Sequence, residues 1–288
     1  MFLVALTLWA AACTQRSAPA APAGARRIVS LLPSFTQIVV ALGAGDRLVG
    51  RTQFCPTAGV SPAAVVVGAA LDANFEKILS LKPDLVLVKQ SMTEQRRKLE
   101  ALGLPILDLP TDKIADAFIA VEEIAQRLGL AANGRALTDR LRQELQRVHQ
   151  AAAGRPPVRA LLVIGHAPGE LREIYAAAPG TFLDELLALA GGVDVLPAGP
   201  AIFPKINAEE ILRADPEAII VFAPGEDGSP TAQAAELNVW RALPFLRAVK
   251  NGRVHRIVDA NALSPGPEMA QTARRVAELL GENAGGRP

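Results

Sequence analysis

The feature that most limits what this chain can fold into is a stretch that occurs twice. Residues 74–88 read NFEKILSLKPDLVLV and residues 207–221 read NAEEILRADPEAIIV. Aligned without gaps, the copies are identical at Asn74/Asn207, Glu76/Glu209, Ile78/Ile211, Leu79/Leu212, Pro83/Pro216 and Val88/Val221, with Asp84 opposite Glu217. Each copy describes one physical unit. An Asn caps a helix and a Glu stands in the first turn, where the positive end of the helix dipole favours it. A short apolar face follows, a proline ends the helix, and a β-branched run makes a buried strand. A helix feeding a buried strand, used twice, implies two similar lobes.

The remaining pattern agrees. Strand patterns at Ile28–Leu32, Leu48–Gly50, Val65–Val67, Leu85–Val88 and Pro105–Leu109 alternate with helical patterns at Phe35–Leu42, 92–102 and Ile114–Leu128. A second series has strands at Arg159–Ile164 and Arg253–Val258, and helices at Gly180–Ala190 and Pro267–Leu280. The expected fold is α/β: two Rossmann-like lobes, each a mainly parallel sheet flanked by helices. The 288 residues, 50% apolar, suffice for two such cores. Between the copies, residues 131–152 carry no strand signal, and Leu137, Leu141, Leu145 and Val148 form one helical stripe. A rod about 30 Å long results, which fits one long connector helix over 131–153. The lobes then span 26–130 and 154–288.

The N-terminus reads as an export address. Phe2–Ala12 is apolar, too short to cross a bilayer, and matches the hydrophobic region of a signal peptide covering residues 1–12. Small residues before Cys13 resemble a bacterial lipobox, in which the cysteine becomes the lipidated first residue; an ordinary signal cleaved after Ala12 is the alternative. Both export the protein. Residues 13–25 are an Ala/Pro/Ser/Gly tether. With two cysteines, a disulfide framework and a four-cysteine metal site are excluded, and lipidation of Cys13 leaves Cys55 without a partner.

Charge and motifs remove other functions. Thirty basic against 29 acidic side chains, with no basic run, leave no footprint for nucleic acid. Gly43, Gly45 and Gly50 lack the third glycine of a dinucleotide fingerprint, where Leu48 stands, and end a helix instead. GHAPGE at 165–170 lacks the GK[ST] of a phosphate loop, and neither GxSxG nor HExxH occurs. No motif argues for an enzyme or an intrinsic cofactor. His149 on the connector is expected in solvent and His255 in a strand to pack. His166 directly follows a strand in a Gly/Pro-rich turn, where open α/β sheets place ligands. Glu76 and Glu209 singly suit a helix dipole; as equivalent acidic knobs on two lobes they suit a partner that is itself twofold. The rival of a different class is an exported α/β enzyme or metallochaperone acting through His166, Cys55 and Asp259.

Over residues 26–280 the chain resembles the substrate-binding proteins of ABC importers that carry cobalamin, iron siderophores or haem. The resemblance rests on RIVSLLPSFTQIVVALGAGDRLVG (27–50), NFEKILSLKPDLVLV, IYAAAPGTFLDELLALAGG (174–192), FPKINAEEILRADPEAIIV (203–221) and NGRVHRIVD (251–259). Within that family it looks most like the cobalamin-binding branch. The resemblance implies a non-enzymatic protein that holds a cobalt or iron chelate between its lobes: cobalamin or a related corrinoid, with a ferric siderophore or haem as alternatives. It implies a ligand cleft lined by Pro33, Phe54, Ala70, Leu71, His166, Phe203, Asp259 and Ser264. Ala70 stands where cobalamin proteins carry a Trp, and His166 where Arg is common. For haem, His166 or Tyr175 is the expected iron contact and there is otherwise no metal ligand. It also implies docking of Glu76 and Glu209 on an ABC permease dimer with its ATPase subunits. The protein is then a monomer in the periplasm or on the outer face of the cell membrane, touching the membrane only through a lipid anchor.

Overall fold

A computed structural model describes residues 24–281, so the signal segment, Cys13 and nearly all of the tether lie outside the described residues. The described residues begin two positions before Arg26. The amides of Gly24 and Ala25 donate to the carbonyl of Arg127 at 2.9 and 3.0 Å, and Ala25 is buried.

The first lobe contains β1 (Ile28–Ser30), β2 (Leu48–Arg51), β3 (Val65–Val66), β4 (Leu85–Lys89) and β5 (Ile106–Leu109). They pair in the order β3-β2-β1-β4-β5, all parallel. Its helices are α1 (Pro33–Ala41), α2 (Phe75–Ser80), α3 (Thr93–Ala101) and α4 (Ile114–Arg127). A parallel sheet is buried on both faces, so the strand β4 is apolar and buried at four successive positions, Leu85 to Val88. In β4, Leu85 and Leu87 join the core under α1 and α4, while Val86 and Val88 join the core under α2 and α3.

After α5 (Ala131–Ala152), the second lobe contains β6 (Val158–Gly165), β7 (Ile174–Ala177), β8 (Gly192–Asp194), β9 (Lys205–Ile206), β10 (Ala218–Phe222) and β11 (Val254–Ile257). The order is β11-β10-β6-β7-β9, with β8 beside β6. Here α6 (Phe182–Leu189) and α10 (Met269–Gly281) cover one face, and α7 (Ala208–Ala214), α8 (Pro230–Trp240) and α9 (Arg247–Lys250) the other. This sheet departs from the parallel pattern on one side: β7 runs antiparallel to both β6 and β9. Ile-Tyr-Ala-Ala carries too little β-branched character to read as a strand, and it is tertiary pairing that makes it one.

The stripe on α5 is buried as a unit, with Leu137, Leu141, Leu145 and Val148 at most 6% exposed. It packs against α4 of the first lobe and against α6 and α10 of the second. One apolar core therefore runs from Phe35 and Leu85 through α5 to Leu162, Phe182 and Met269. The approach to α4 is close at Gly134, where a Cβ would stand 2.5 Å from that of Ala125.

The repeated units share an Asn cap, a buried Ile and a left-handed residue before the proline. Asn74 Oδ1 accepts the Lys77 amide at 2.8 Å and Asn207 Oδ1 the Glu210 amide at 3.0 Å. Ile78 and Ile211 are fully buried. The residue before each proline is left-handed, with φ of 46° at Lys82 and 42° at Asp215. Such a backbone costs a residue with a long side chain about 1–2 kcal/mol, and Asp less. Lys82→Gly is therefore expected to stabilise the protein by about 0.5–1 kcal/mol in urea unfolding. The same change at Asp215 should destabilise it, because the Asp215 carboxylate holds the Arg247 guanidinium at 2.8 Å.

Candidate functional site

The carboxyl ends of parallel strands are where open sheets place their ligands, and apolar side chains stand exposed there. After β2, a tight turn is closed by the Cys55 amide donating to the Thr52 carbonyl at 3.2 Å. Cys55 is buried against the Thr52 hydroxyl, and Phe54 is turned outward, 68% exposed. After β3, Ala70 packs partly into the lobe while Leu71 is 77% exposed, its carbonyl held by Gln95 at 3.1 Å.

In the second lobe, Tyr175 lies opposite Gly165 on one side and Lys205 on the other. Ala177, two residues along the same strand, belongs to the core under α6, so Tyr175 shares that face. Phe203 precedes β9, next to Pro204 and Ile206, which line an apolar cavity of about 500 Å³ beside α7. Both rings are exposed, and Ile202 beside them is an exposed apolar residue that sequence alone did not single out. The α6 end of the second lobe meets the first lobe directly: Glu185 accepts the Ile114 amide at 2.7 Å and lies 3.6 Å from the Lys113 ammonium.

A second contact joins the lobes. Gln37 of α1 donates to Asn261 Oδ1 at 2.6 Å, and Asn261 donates to Glu268. The loop carrying Asp259 and Ser264 is thereby seated on the start of α1, where Pro33 is the first helical residue. Sequence reasoning missed Gln37. Its signal was Ser34, Thr36 and Gln37, three polar side chains inside an apolar helix, and all three are buried. Asp259 Oδ1 accepts the Asn261 amide at 2.8 Å, and the residue also lines a cavity of about 670 Å³ between α8, β11 and α10.

The structure places His166 inside a hydrogen-bond network. Its side chain is 8% exposed, with Nε2 2.8 Å from Glu236 Oε1 and Nδ1 2.8 Å from the Ala167 carbonyl. The same carboxylate oxygen accepts the Trp240 indole N–H at 2.8 Å, and Arg256 Nε lies 3.7 Å from Glu236 Oε2. With both ring nitrogens engaged, His166 fastens the turn after β6 to α8 and has none left for an iron. The Glu236 hydrogen bond raises the imidazole pKa against the opposing effect of burial. Burial pushes the Glu236 carboxyl up, but the His166 and Trp240 hydrogen bonds and nearby positive charge hold it below its ordinary value. Cys55, His166 and Asp259 are each used within their own lobe.

Glu76 and Glu209 stand at matching corners. Asn74 follows the end of edge strand β3, and Asn207 directly follows edge strand β9, so α2 and α7 both start at the carboxyl edge of a sheet. Both glutamates are exposed, and Glu209 pairs with Arg213 at 2.9 Å.

The His166 network has a pH signature. A raised folded-state pKa means tighter proton binding in the folded chain, so the stabilisation is complete below the unfolded value of about 6.5 and lost as pH rises through the folded value. Urea unfolding of the wild type should show that decline on the alkaline side of about pH 6.5, and His166→Asn should remove it. A decline unchanged in the variant would assign the slope to another group.

Known proteins share this architecture. The family model for periplasmic binding proteins matches residues 28–260. A vitamin B12-binding protein of Vibrio cholerae serotype O1 is 29% identical over 267 residues, 91% of each chain. The crystal structure of the periplasmic vitamin B12 binding protein BtuF of Vibrio cholerae covers 90% of this chain and 98% of its own, with a TM-score of 0.77 and 28% identity. A periplasmic haem-binding protein from Pseudomonas aeruginosa shares the fold at a TM-score of 0.75 and 24% identity, over 89% of this chain and 92% of its own. Two parallel-rich lobes, a helix packed between them and a match along almost the whole folded chain lead to one conclusion: the chain belongs to the periplasmic binding proteins, exported substrate-binding proteins of ABC importers and not enzymes.

Proposed function

We propose that this protein captures a corrinoid, cobalamin or a close relative, between its lobes and delivers it to an ABC permease dimer served by ATPase subunits. The observation that carries the reading is the exposure of large apolar side chains in the loops of both lobes, Phe54 and Leu71 on one and Phe203 on the other, which on this reading wall the gap between them. The likeness to vitamin B12-binding proteins along nine-tenths of the chain supports the choice of ligand. Apolar contact supplies most of the affinity, and Asp259 and Ser264, with Pro33 and Ala70 completing the lining, set orientation. His166 acts by positioning its turn. Glu76 and Glu209 steer the loaded protein onto the permease, a role in association more than in ligand affinity. The protein works as a monomer, held at the membrane by lipid on Cys13.

A second reading is haem. It is favoured by Tyr175, the chain's single tyrosine, which is exposed, whereas His166 is occupied. A phenolate oxygen can ligate haem iron.

Absorption spectra of the protein after incubation with cobalamin, haemin or a ferric hydroxamate, followed by gel filtration, decide between them. Co-elution of the cobalamin spectrum at one per chain is expected. Retention of haemin that is lost in Tyr175→Phe would establish the second reading, and retention of none of the three would overturn both. Glu76→Ala with Glu209→Ala should leave the retained spectrum unchanged while uptake by cells collapses, and Cys13→Ser should move the protein from the membrane to the soluble fraction.

A further inference from the structure

The six identities in the repeat divide by what the fold asks of them. Asn74 and Asn207 cap helices, Ile78 and Ile211 fill cores, Pro83 and Pro216 are buried at the turn, and Val88 and Val221 are buried in strands. Two pairs neither cap a helix nor fill a core. Glu76/Glu209 and Leu79/Leu212 are exposed, the leucines by 44% and 43%. Neighbouring exposed positions have drifted apart, with Lys77 opposite Glu210 and Ser80 opposite Arg213. Helix propensity does not call for leucine at an exposed site, where Ala, Lys, Glu or Arg serve as well. Within each helix the leucine follows the glutamate by three residues, so the two side chains share one face.

We propose that Leu79 and Leu212 are the apolar anchors of the permease-docking face, each set beside a docking glutamate. This rests on the assignment of Glu76 and Glu209 to docking. The partner it fits is a twofold-symmetric protein presenting, at two equivalent places, a basic group next to an apolar socket. Charge complementarity with the glutamates sets the sign of that group, and the equivalence of α2 and α7 sets the symmetry. The glutamates govern encounter and the leucines govern residence, because charges at an interface rim act mainly on association and desolvated apolar groups mainly on dissociation. The Arg213 ion pair with Glu209 is no obstacle, since exposed pairs of this kind contribute little.

The test measures binding of the ligand-free protein to its permease–ATPase complex in nanodiscs at several salt concentrations. Leu79→Ser with Leu212→Ser should bind about tenfold more weakly through faster dissociation, with the wild-type salt dependence. The double Leu→Met variant should bind as wild type. Glu76→Gln with Glu209→Gln should associate more slowly and lose the salt dependence. If the Ser variant binds as wild type while the Gln variant does not, the leucine anchors are wrong and the docking face stands. If neither matters, the docking face falls with them. Sedimentation of the protein alone supplies the last arm: a self-association present in the wild type and lost in the Ser variant would assign this face to a second copy and overturn the proposal.

Discussion

Each lobe hangs on a carboxylate that grips the start of its central strand. Asp84 accepts the amides of Arg26 and Arg27, both at 2.8 Å, just before β1. Glu217, its repeat-mate, accepts the amide of Arg159 at 3.1 Å in β6. The arginines answer in kind, Arg27 donating to the Leu81 carbonyl at 2.6 Å and Arg159 to the Ala214 carbonyl at 2.7 Å, at the ends of α2 and α7. Charge-assisted bonds of this type contribute about 1.5–3 kcal/mol when shielded and less at the surface, as here. Their larger effect is on register. They fix Ile28 opposite Leu85 and Ala160 opposite Ala218, and in a sheet buried on both faces a slip of one residue would exchange the two cores. Because β1 and β6 are the middle strands of their sheets, the order of everything outside them follows.

This explains why so much of the architecture could be read from residues alone. The Asn cap, the Glu in the first turn, the proline and the apolar run are local signals, and they recur with the same meaning in both lobes. The limits of α5 were legible for a similar reason: a leucine stripe without strand signal, stopped by Gly154 and two prolines. The antiparallel β7 was not legible, since Ile-Tyr-Ala-Ala is made a strand by pairing with β6 and β9, which lie eight or more residues away in the chain. Asp84 against Glu217 was visible as a conservative mismatch, but the amide partners of those carboxylates lie more than 50 residues away.

The site was legible in part, and the division is instructive. Phe54, Leu71 and Phe203 came from the resemblance to the family, and the structure finds all three exposed. His166 was chosen by position, after a strand and in a turn, and position does not reveal a partner 70 residues on. Glu236 in α8 looks in sequence like any solvated helix carboxylate. Only the fold brings it beneath His166, Trp240 and Arg256, where it organises the turn. Gln37 failed for the opposite reason: a buried polar residue in an apolar helix is a strong signal, but its partner Asn261 belongs to the other lobe.

The same interlobe contacts limit how the protein can move. A hinge that bends freely needs few buried contacts across it, whereas here one core passes through both lobes around the buried stripe of α5. Opening the gap widely would part Gln37 from Asn261 and Glu185 from Ile114, and would draw Ala262 and Leu263 off the core. Each loss is modest, but they fall together, so the accessible motion is a small rotation of packed bodies rather than a clamp-like swing. Uptake and release must then be governed at the edges of the gap. The two helices that carry Glu76 and Glu209 pack on the sheet faces turned away from α5, where a given rotation produces its largest displacement. A partner holding both helices therefore works with the greatest leverage on a hinge that barely yields on its own.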